Sequence, residues 1–106
     1  MAYYYKFLKN KNHSLCIAEI SSSDVPVPAK NGTLRIHEGR VLSIICRTYP
    51  RGYFNTNVRR AYSPIYHKVI EYRVGWTVTS DVKPEIDNEN GIYVYANLMD
   101  CMVDAI

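Results

Sequence analysis

The segment that most constrains the fold of this chain lies at positions 68–78 and reads K-V-I-E-Y-R-V-G-W-T-V. Aliphatic and aromatic residues, Trp76 among them, recur at every second position, whereas Glu71 and Arg73 fall between them. This period of two is typical of a β-strand, whose successive side chains point to opposite faces. The pattern therefore predicts one continuous strand with an apolar face that forms a wall of the core and a polar face that is open to a ligand.

Other segments show the patterns of shorter strands and of one helix. Strands are predicted at positions 3–8, 15–20 and 33–37. A strand at 41–46 is apolar on both faces except at Ser43, as a central strand would be, and a short strand at 92–96 follows Gly91. Asn97 is a suitable N-cap for a terminal helix at 98–106, and Leu98 and Met102 are expected on its buried face. The stretch at 48–63, which contains proline, glycine and asparagine, is predicted to be a long loop.

These elements predict an α+β fold, namely a small, predominantly antiparallel β-sheet domain with a short C-terminal helix. The chain of 106 residues is long enough to bury one core, so we expect a single domain that spans residues 1–106. Its ten tyrosines favour sheet and a half-wet surface suited to an interface, because tyrosine packs its ring and keeps its hydroxyl near water.

Charge is unevenly distributed along the chain. Residues 30–73 hold nine basic and two acidic side chains, whereas residues 74–106 hold one basic and six acidic side chains. Most of the basic residues are arginines, which favour bidentate contacts with phosphate or carboxylate. Such a surface either binds an anionic ligand or is neutralised by the acidic segment, within one molecule or across a subunit interface.

The cysteines, Cys16, Cys46 and Cys101, are far apart and lie among apolar neighbours. Their spacing matches no zinc motif and indicates no disulfide framework, so we expect them to pack as small hydrophobic side chains. The apolar N-terminal run is too short for a signal peptide, and no segment approaches the length of a membrane helix. We therefore predict a cytoplasmic protein that has neither a cofactor nor a membrane partner.

Basic and aromatic residues are interleaved between positions 47 and 76, where arginines are suited to hold phosphates and rings to stack on a base. The candidate ligand-binding residues are Arg47, Arg59, Arg60, Tyr62, Ser63, Tyr66, Arg73 and Trp76. A small nucleotide needs only a few of them in a pocket, whereas single-stranded nucleic acid needs a continuous basic groove. The formal net charge of +3 makes nucleic acid the less favoured partner. Core packing remains the alternative for each aromatic residue.

No established catalytic motif is present in the sequence. Ser63, His67 and Glu71 lie close together in the chain, but their spacing does not establish contact. We therefore expect a protein that is not an enzyme, with ADP-ribosyl transfer as an alternative that rests on fold analogy alone.

The second half of the chain contains four short motifs in a fixed order. They are V-L-S-I at 41–44, A-Y-S-P-I-Y at 61–66, E-Y-R-V-G at 71–75 and N-G-I-Y-V-Y-A at 90–96. Through these motifs, residues 33–106 resemble an uncharacterised domain of viral proteins, from large DNA viruses and some phages, that is often found near pentapeptide repeats. Tyr93 stands where the family's last motif has a histidine, so no role of that imidazole is transferred. The resemblance implies a viral origin and a fold, and it supplies no activity.

The expected function is that of a phage accessory protein in the host cytoplasm. We expect a homo-oligomer that binds and sequesters a nucleotide-type small molecule used as an immune signal, which would make it a counter-defence protein. Direct inhibition of a host defence protein is the first alternative. Binding of single-stranded nucleic acid and ADP-ribosyl transfer are the others.

Overall fold

The computed structural model describes residues 1–11, 14–47, 53–64 and 69–104, and within them ten strands and one α-helix. These elements are β1 (Ala2–Lys9), β2 (Leu15–Ser22), β3 (Val27–Pro28), β4 (Leu34–Ile36), β5 (Glu38–Arg47), β6 (Phe54–Asn57), β7 (Arg60–Pro64), β8 (Val69–Arg73), β9 (Thr77–Thr79), β10 (Ile92–Val94) and α1 (Leu98–Asp104). The predicted class, predominantly antiparallel sheet with a short C-terminal helix, is confirmed.

The larger sheet follows the strand order β6-β5-β2-β1-β7-β8, and its pairs are antiparallel. Strands β1 and β2 form a hairpin along their whole length, and Asn10 helps to close it because its side-chain oxygen accepts a hydrogen bond from the Ser14 amide at 2.9 Å. Tyr4, Lys6 and Leu8 point to one face of β1 and are buried there. That alternation was predicted, but the burial of a lysine was not.

The far end of this sheet returns to β5 through a glycine turn. Gly75 has a φ of 92°, a conformation that favours glycine, and its amide donates to the Val41 carbonyl at 2.8 Å. The Val41 amide in turn donates to the Trp76 carbonyl at 2.9 Å, and β9 then pairs with the first residues of β5. The prediction of one continuous strand at 68–78 is therefore wrong, because this turn divides it into β8 and β9.

The main core cluster joins residues of the larger sheet with residues of β4 and β10. Tyr72 is buried, and Ile70, Val74 and Val78 pack against the same cluster, as the alternation predicts. Trp76 is the exception, because 48% of its surface is exposed. The turn at Gly75 rotates the chain between Val74 and Val78, so the ring leaves the apolar face.

Cys16 and Cys46 form a disulfide bond between neighbouring strands. They stand opposite each other on β2 and β5, with their Cα atoms 4.0 Å apart. The prediction that these two cysteines only pack as small hydrophobic residues is wrong, since the pairing register brings together positions that are distant in sequence. Cys101 takes no part in the disulfide and is buried, as expected.

A smaller sheet, in the order β10-β4-β3, lies beside the larger one. Tyr5 of β1 and Tyr95, which follows β10, exchange two backbone hydrogen bonds of 2.8 and 2.7 Å and so join the two sheets. Arg35 of β4 is 4% exposed, and its guanidinium donates to the Glu85 carbonyl at 3.0 Å and to the Asn88 carbonyl. This buried arginine holds the acidic loop that precedes β10.

Helix α1 begins after Asn97, whose side-chain oxygen accepts a hydrogen bond from the Met99 amide at 2.8 Å, in agreement with the predicted cap. Cys101 and Met102 face a cluster on the second side of β1 and β2, whereas Leu98 is exposed and the prediction of its burial is wrong. Residues 105 and 106 lie outside the described residues. Among the described helices, none has the length and apolar character needed to cross a bilayer.

The prediction of a loop at 48–63 is wrong for its second half, which contains β6 and most of β7. These strands carry asparagine and arginine and no clean alternation of apolar and polar residues. Their structure depends on pairing with β5 and β8, which sequence periodicity does not report.

Candidate functional site

The outer surface of β7 and β8 collects several of the predicted binding residues. The register places Arg60 opposite Arg73 and Tyr62 opposite Glu71, and residues that are directly opposite share a face. These four residues and Trp76 are called the arginine face below.

Glu71 lies between the two arginines of this face. Its Oε1 atom is 3.4 Å from Arg73 Nε and 3.7 Å from Arg60 Nη1. The centre of the Arg73 guanidinium is 4.8 Å from the centroid of the Trp76 ring, within the range of a cation–π contact. The side chains of Arg60 and Arg73 keep 50% and 40% of their surface exposed. The two cations are thus oriented by Glu71 and Trp76 and are still reachable from solvent.

The hydrogen bonding of the Arg73 guanidinium is incomplete. Its Nε atom is buried and forms no hydrogen bond of acceptable geometry, although Glu71 Oε1 is nearby. Because Nε is shielded from solvent, an incoming anion reaches Arg73 through the exposed 40% of its side chain.

The other predicted binding residues lie apart from the arginine face. Arg59 precedes Arg60 and is exposed. The guanidinium carbon of Arg47 lies 5.9 Å from the centroid of the Phe54 ring, on the β5–β6 pair. Ser63 points to the opposite side of β7 and is 2% exposed. Tyr66 lies outside the described residues.

A cavity of about 830 Å³ lies on the inner side of β7 and β8. Its walls include Lys6, Ser63, Tyr72, Tyr93 and Tyr95. This volume is within the range of sites that hold small ligands. The cavity combines aromatic surface with one buried amine and one buried hydroxyl.

Lys6 reaches across the core to the smaller sheet. Its Nζ atom donates to the Tyr93 carbonyl at 2.8 Å and lies 5.9 Å from the centroid of the Tyr72 ring. Burial lowers the pKa of Lys6 to about 8, and the nearby Cys101 opposes that change. Burial raises the pKa of Tyr72 because the phenolate would be poorly solvated there.

The structure does not assemble the group of Ser63, His67 and Glu71. Ser63 pairs with Ile70 and faces inward, whereas Glu71 lies on the outer face of the same strand pair. His67 lies outside the described residues. Within 1–11, 14–47, 53–64 and 69–104, no group of three histidine, cysteine or acidic residues is arranged to hold a metal ion.

Sequence reasoning proposed four residues of the arginine face as ligand-binding residues, and it missed the cavity. The signal for the cavity is a lysine at a core-facing position, since Lys6 stands between Tyr4 and Leu8 in the alternation of β1. A single lysine in an apolar pattern usually extends its amine to solvent, so sequence alone does not identify this site.

No protein-family model, curated protein or solved structure matches this chain. The resemblance to a viral domain therefore stays a prediction.

Proposed function

We propose that this protein is a non-enzymatic binding protein that captures a phosphate-bearing, nucleotide-type small molecule on its arginine face. The observation that carries the proposal is the arrangement of Arg60 and Arg73, two exposed guanidiniums held on either side of one carboxylate beside a half-exposed indole. Guanidinium groups bind phosphate through paired hydrogen bonds, and an exposed ring adds a stacking surface for a base.

Glu71 has two opposing effects in this proposal. It holds Arg60 and Arg73 in position, which lowers the entropy lost when a ligand binds. It also repels an incoming phosphate, because like charges at short range are unfavourable. A ligand must therefore carry enough negative charge to displace the carboxylate, which favours a phosphate over a neutral nucleoside.

The biological part of the proposal is that the protein acts as a homo-oligomer in the cytoplasm of an infected cell and sequesters an immune signal. The motifs shared with a viral domain and the separation of basic and acidic segments along the chain support it. Native mass spectra of the protein purified from cells test this part. We expect a discrete oligomer that carries an additional mass of a few hundred daltons, and a bare monomer would contradict the sequestration model.

Binding at the arginine face is tested by calorimetry with ATP, AMP, adenosine and a cyclic dinucleotide at low salt. We expect binding of at least one phosphate-bearing probe, no binding of adenosine, and at least about a tenfold loss of affinity for Arg73→Ala and for Arg59→Ala combined with Arg60→Ala. Arg47→Ala is the matched control, because it removes an equal charge beside Phe54 and away from this face.

Two outcomes would contradict this assignment. An equal loss of affinity in Arg47→Ala and Arg73→Ala would indicate nonspecific attraction of the ligand to positive charge. If none of the phosphate-bearing probes binds, the arginine face is not a ligand site. Chromatography on single-stranded DNA at several salt concentrations separates the nucleic-acid alternative, which requires strongly salt-dependent retention.

Direct binding to a host protein is a second candidate function. Helix α1 exposes Leu98, Met99 and Val103, which gives it an apolar surface that a protein partner could cover. Capture of a defined defence protein by the wild type, lost in Met99→Glu and retained in Arg73→Ala, is the result expected for this function. If capture of the defence protein is lost only in Arg73→Ala, the partner binds at the arginine face and not at helix α1.

A further inference from the structure

The cavity on the inner side of β7 and β8 is separate from the arginine face and has a different chemistry. Lys6 enters it from β1, while Tyr72 and Ser63 enter it from the β7–β8 pair. Each of the three side chains is at least nine-tenths buried, with exposed fractions of 9%, 1% and 2%. An amine is thus held at a fixed point inside a half-apolar space.

The surroundings of Lys6 favour its neutral form. Its Nζ atom faces the Tyr93 carbonyl and the Tyr72 ring, neither of which solvates an ammonium ion as well as water does. The thiol of Cys101, on the second side of β1, acts on the pKa of Lys6 in the opposite direction. Acidic side chains at the wall, Asp81 and Glu89, are exposed to solvent. With a pKa of about 8, Lys6 is neutral in roughly a tenth of the molecules near neutral pH, against fewer than about one in a thousand for an ordinary lysine.

A neutral amine fixed in a cavity is a nucleophile. The hydrogen bond to the Tyr93 carbonyl uses one N–H group and leaves the nitrogen lone pair unengaged when the amine is neutral. The rings of Tyr72, Tyr93 and Tyr95 provide surface for a flat or apolar ligand body.

We propose that Lys6 is a reactive lysine and that this cavity binds small aldehydes with an aromatic or apolar body as imines. The lone pair of Nζ attacks the carbonyl carbon, and the C=O bond opens to a carbinolamine as a proton moves from nitrogen to oxygen. Loss of one water then leaves a C=N bond. The step is reversible and requires no oxidant or reductant.

Reductive labelling of the intact protein tests this proposal. The protein is incubated with benzaldehyde and sodium cyanoborohydride near neutral pH, digested, and mapped by peptide mass. We expect N-benzylation of Lys6 at least about ten times faster than that of Lys9, which lies on the same strand and is partly exposed. Peptide mapping is required because the amine of Met1 also reacts near neutral pH.

The pH dependence of the labelling rate distinguishes a lysine with a lowered pKa from an ordinary lysine that is labelled only because it is accessible. For this profile, imine formation is measured by brief exposure to benzaldehyde at each pH followed by a sodium borohydride quench. The rate at Lys6 is expected to level off above about pH 8, whereas the rate at Lys9 should continue to rise as its amine deprotonates. Urea should abolish the preference, because unfolding gives both lysines ordinary surroundings. Lys6→Met should remove the label, and Arg73→Ala should leave it unchanged, so the two sites are tested independently.

If Lys6 in the folded wild type is labelled no faster than Lys9, the proposal is overturned. Lys6 then has only a structural role, in which its hydrogen bond to Tyr93 connects β1 with β10. This comparison is made within one wild-type molecule. It therefore decides the question even if Lys6→Met does not fold.

Discussion

Two basic side chains of this protein have opposite surroundings, and their properties follow from that difference. Lys6 is enclosed by the core and donates a short hydrogen bond to the Tyr93 carbonyl. Arg73 lies at the surface between a carboxylate and an indole ring. Burial disfavours the charge of Lys6, whereas the Arg73 side chain is 40% exposed and paired with Glu71. The first is suited to chemistry as a neutral amine and the second to binding anions.

The buried amine gives folding stability a specific pH dependence. The pKa of Lys6 is about 8 in the folded protein and 10.5 in the unfolded chain, so the unfolded chain binds more protons between these values. The free energy of unfolding must then rise with pH across that interval. We expect a gain on the order of 2 kcal/mol between about pH 7.5 and 9.5 in urea titrations of the wild type.

Lys6→Met is the control for this gain, since methionine fills a similar space without an ionisable group. The pH-dependent gain should be absent in the variant. Above about pH 10 the raised pKa of Tyr72 acts in the opposite direction, because only the unfolded chain then loses the phenolic proton readily and stability falls. A wild-type stability that is flat or falling between pH 7.5 and 9.5 would show that Lys6 is well solvated.

Trp76 gives a second test at this scale. Because 48% of its surface is exposed, Trp76→Ala should lower the free energy of unfolding by no more than about 1 kcal/mol. Tyr72→Ala, at a position that is 1% exposed, should cost about 3 kcal/mol or more. Acrylamide should quench the fluorescence of the single tryptophan readily, and protection from quenching would place the ring in the core.

At the scale of elements, the turn between β8 and β9 decides how the larger sheet closes. Gly75 adopts a φ of 92°, and its amide bonds to Val41 of β5. Beyond its two chain neighbours, a Cβ atom at this position meets nothing within 4 Å, so the cost of alanine is conformational and not steric. The same turn places Trp76 beside Arg73, which connects sheet closure to the arginine face.

Gly75→Ala should therefore destabilise the protein by about 1–2 kcal/mol and accelerate hydrogen exchange at the Val41 amide. Gly32→Ala is a matched control, because Gly32 also has a positive φ of 75° and open space around it. A similar loss of stability is expected there, without faster exchange at Val41. Equal exchange at Val41 in both variants would mean that the turn does not hold the two ends of the sheet together.

The hairpin of β1 and β2 and the start of α1 are elements that sequence patterns predicted well. The strands at 3–8 and 15–20 agree with β1 and β2 to within about two residues, and the cap at Asn97 starts α1. The break at Gly75 was missed because residues 68–78 keep a period of two across it, and periodicity carries no information on φ.

The candidate site was only partly predictable for a related reason. Arg60 and Arg73 were proposed together because basic and aromatic residues are interleaved between positions 47 and 76, but the pairing of β7 with β8 that places them opposite each other was not predicted. The cavity joins β1 with β7, β8 and the segment around β10, and the disulfide joins β2 with β5. Both depend on pairing between distant strands, which only the folded chain reveals.

On the scale of the whole molecule, β5 is the strand where the main connections meet. It pairs with β2 on one side and with β6 and β9 on the other, and it also carries Cys46 of the disulfide. The bond to Cys16 therefore links β5 to the hairpin of β1 and β2, whose first strand provides Lys6. In the unfolded chain, the disulfide closes the segment between Cys16 and Cys46 into a loop and so lowers the conformational entropy of the unfolded state.

The disulfide should accordingly stabilise the complete fold. The two cysteines are 30 positions apart, for which the chain-entropy relation gives about 3.6 kcal/mol. We expect Cys16→Ala with Cys46→Ala to lower the free energy of unfolding by at least that amount under oxidising conditions, and to abolish the effect of dithiothreitol on stability. Cys101→Ala is the control: it also removes a buried sulfur but should retain the full dithiothreitol effect. A wild type whose stability does not change on reduction, although its mass increases by two hydrogens, would show that strand pairing alone holds β2 against β5.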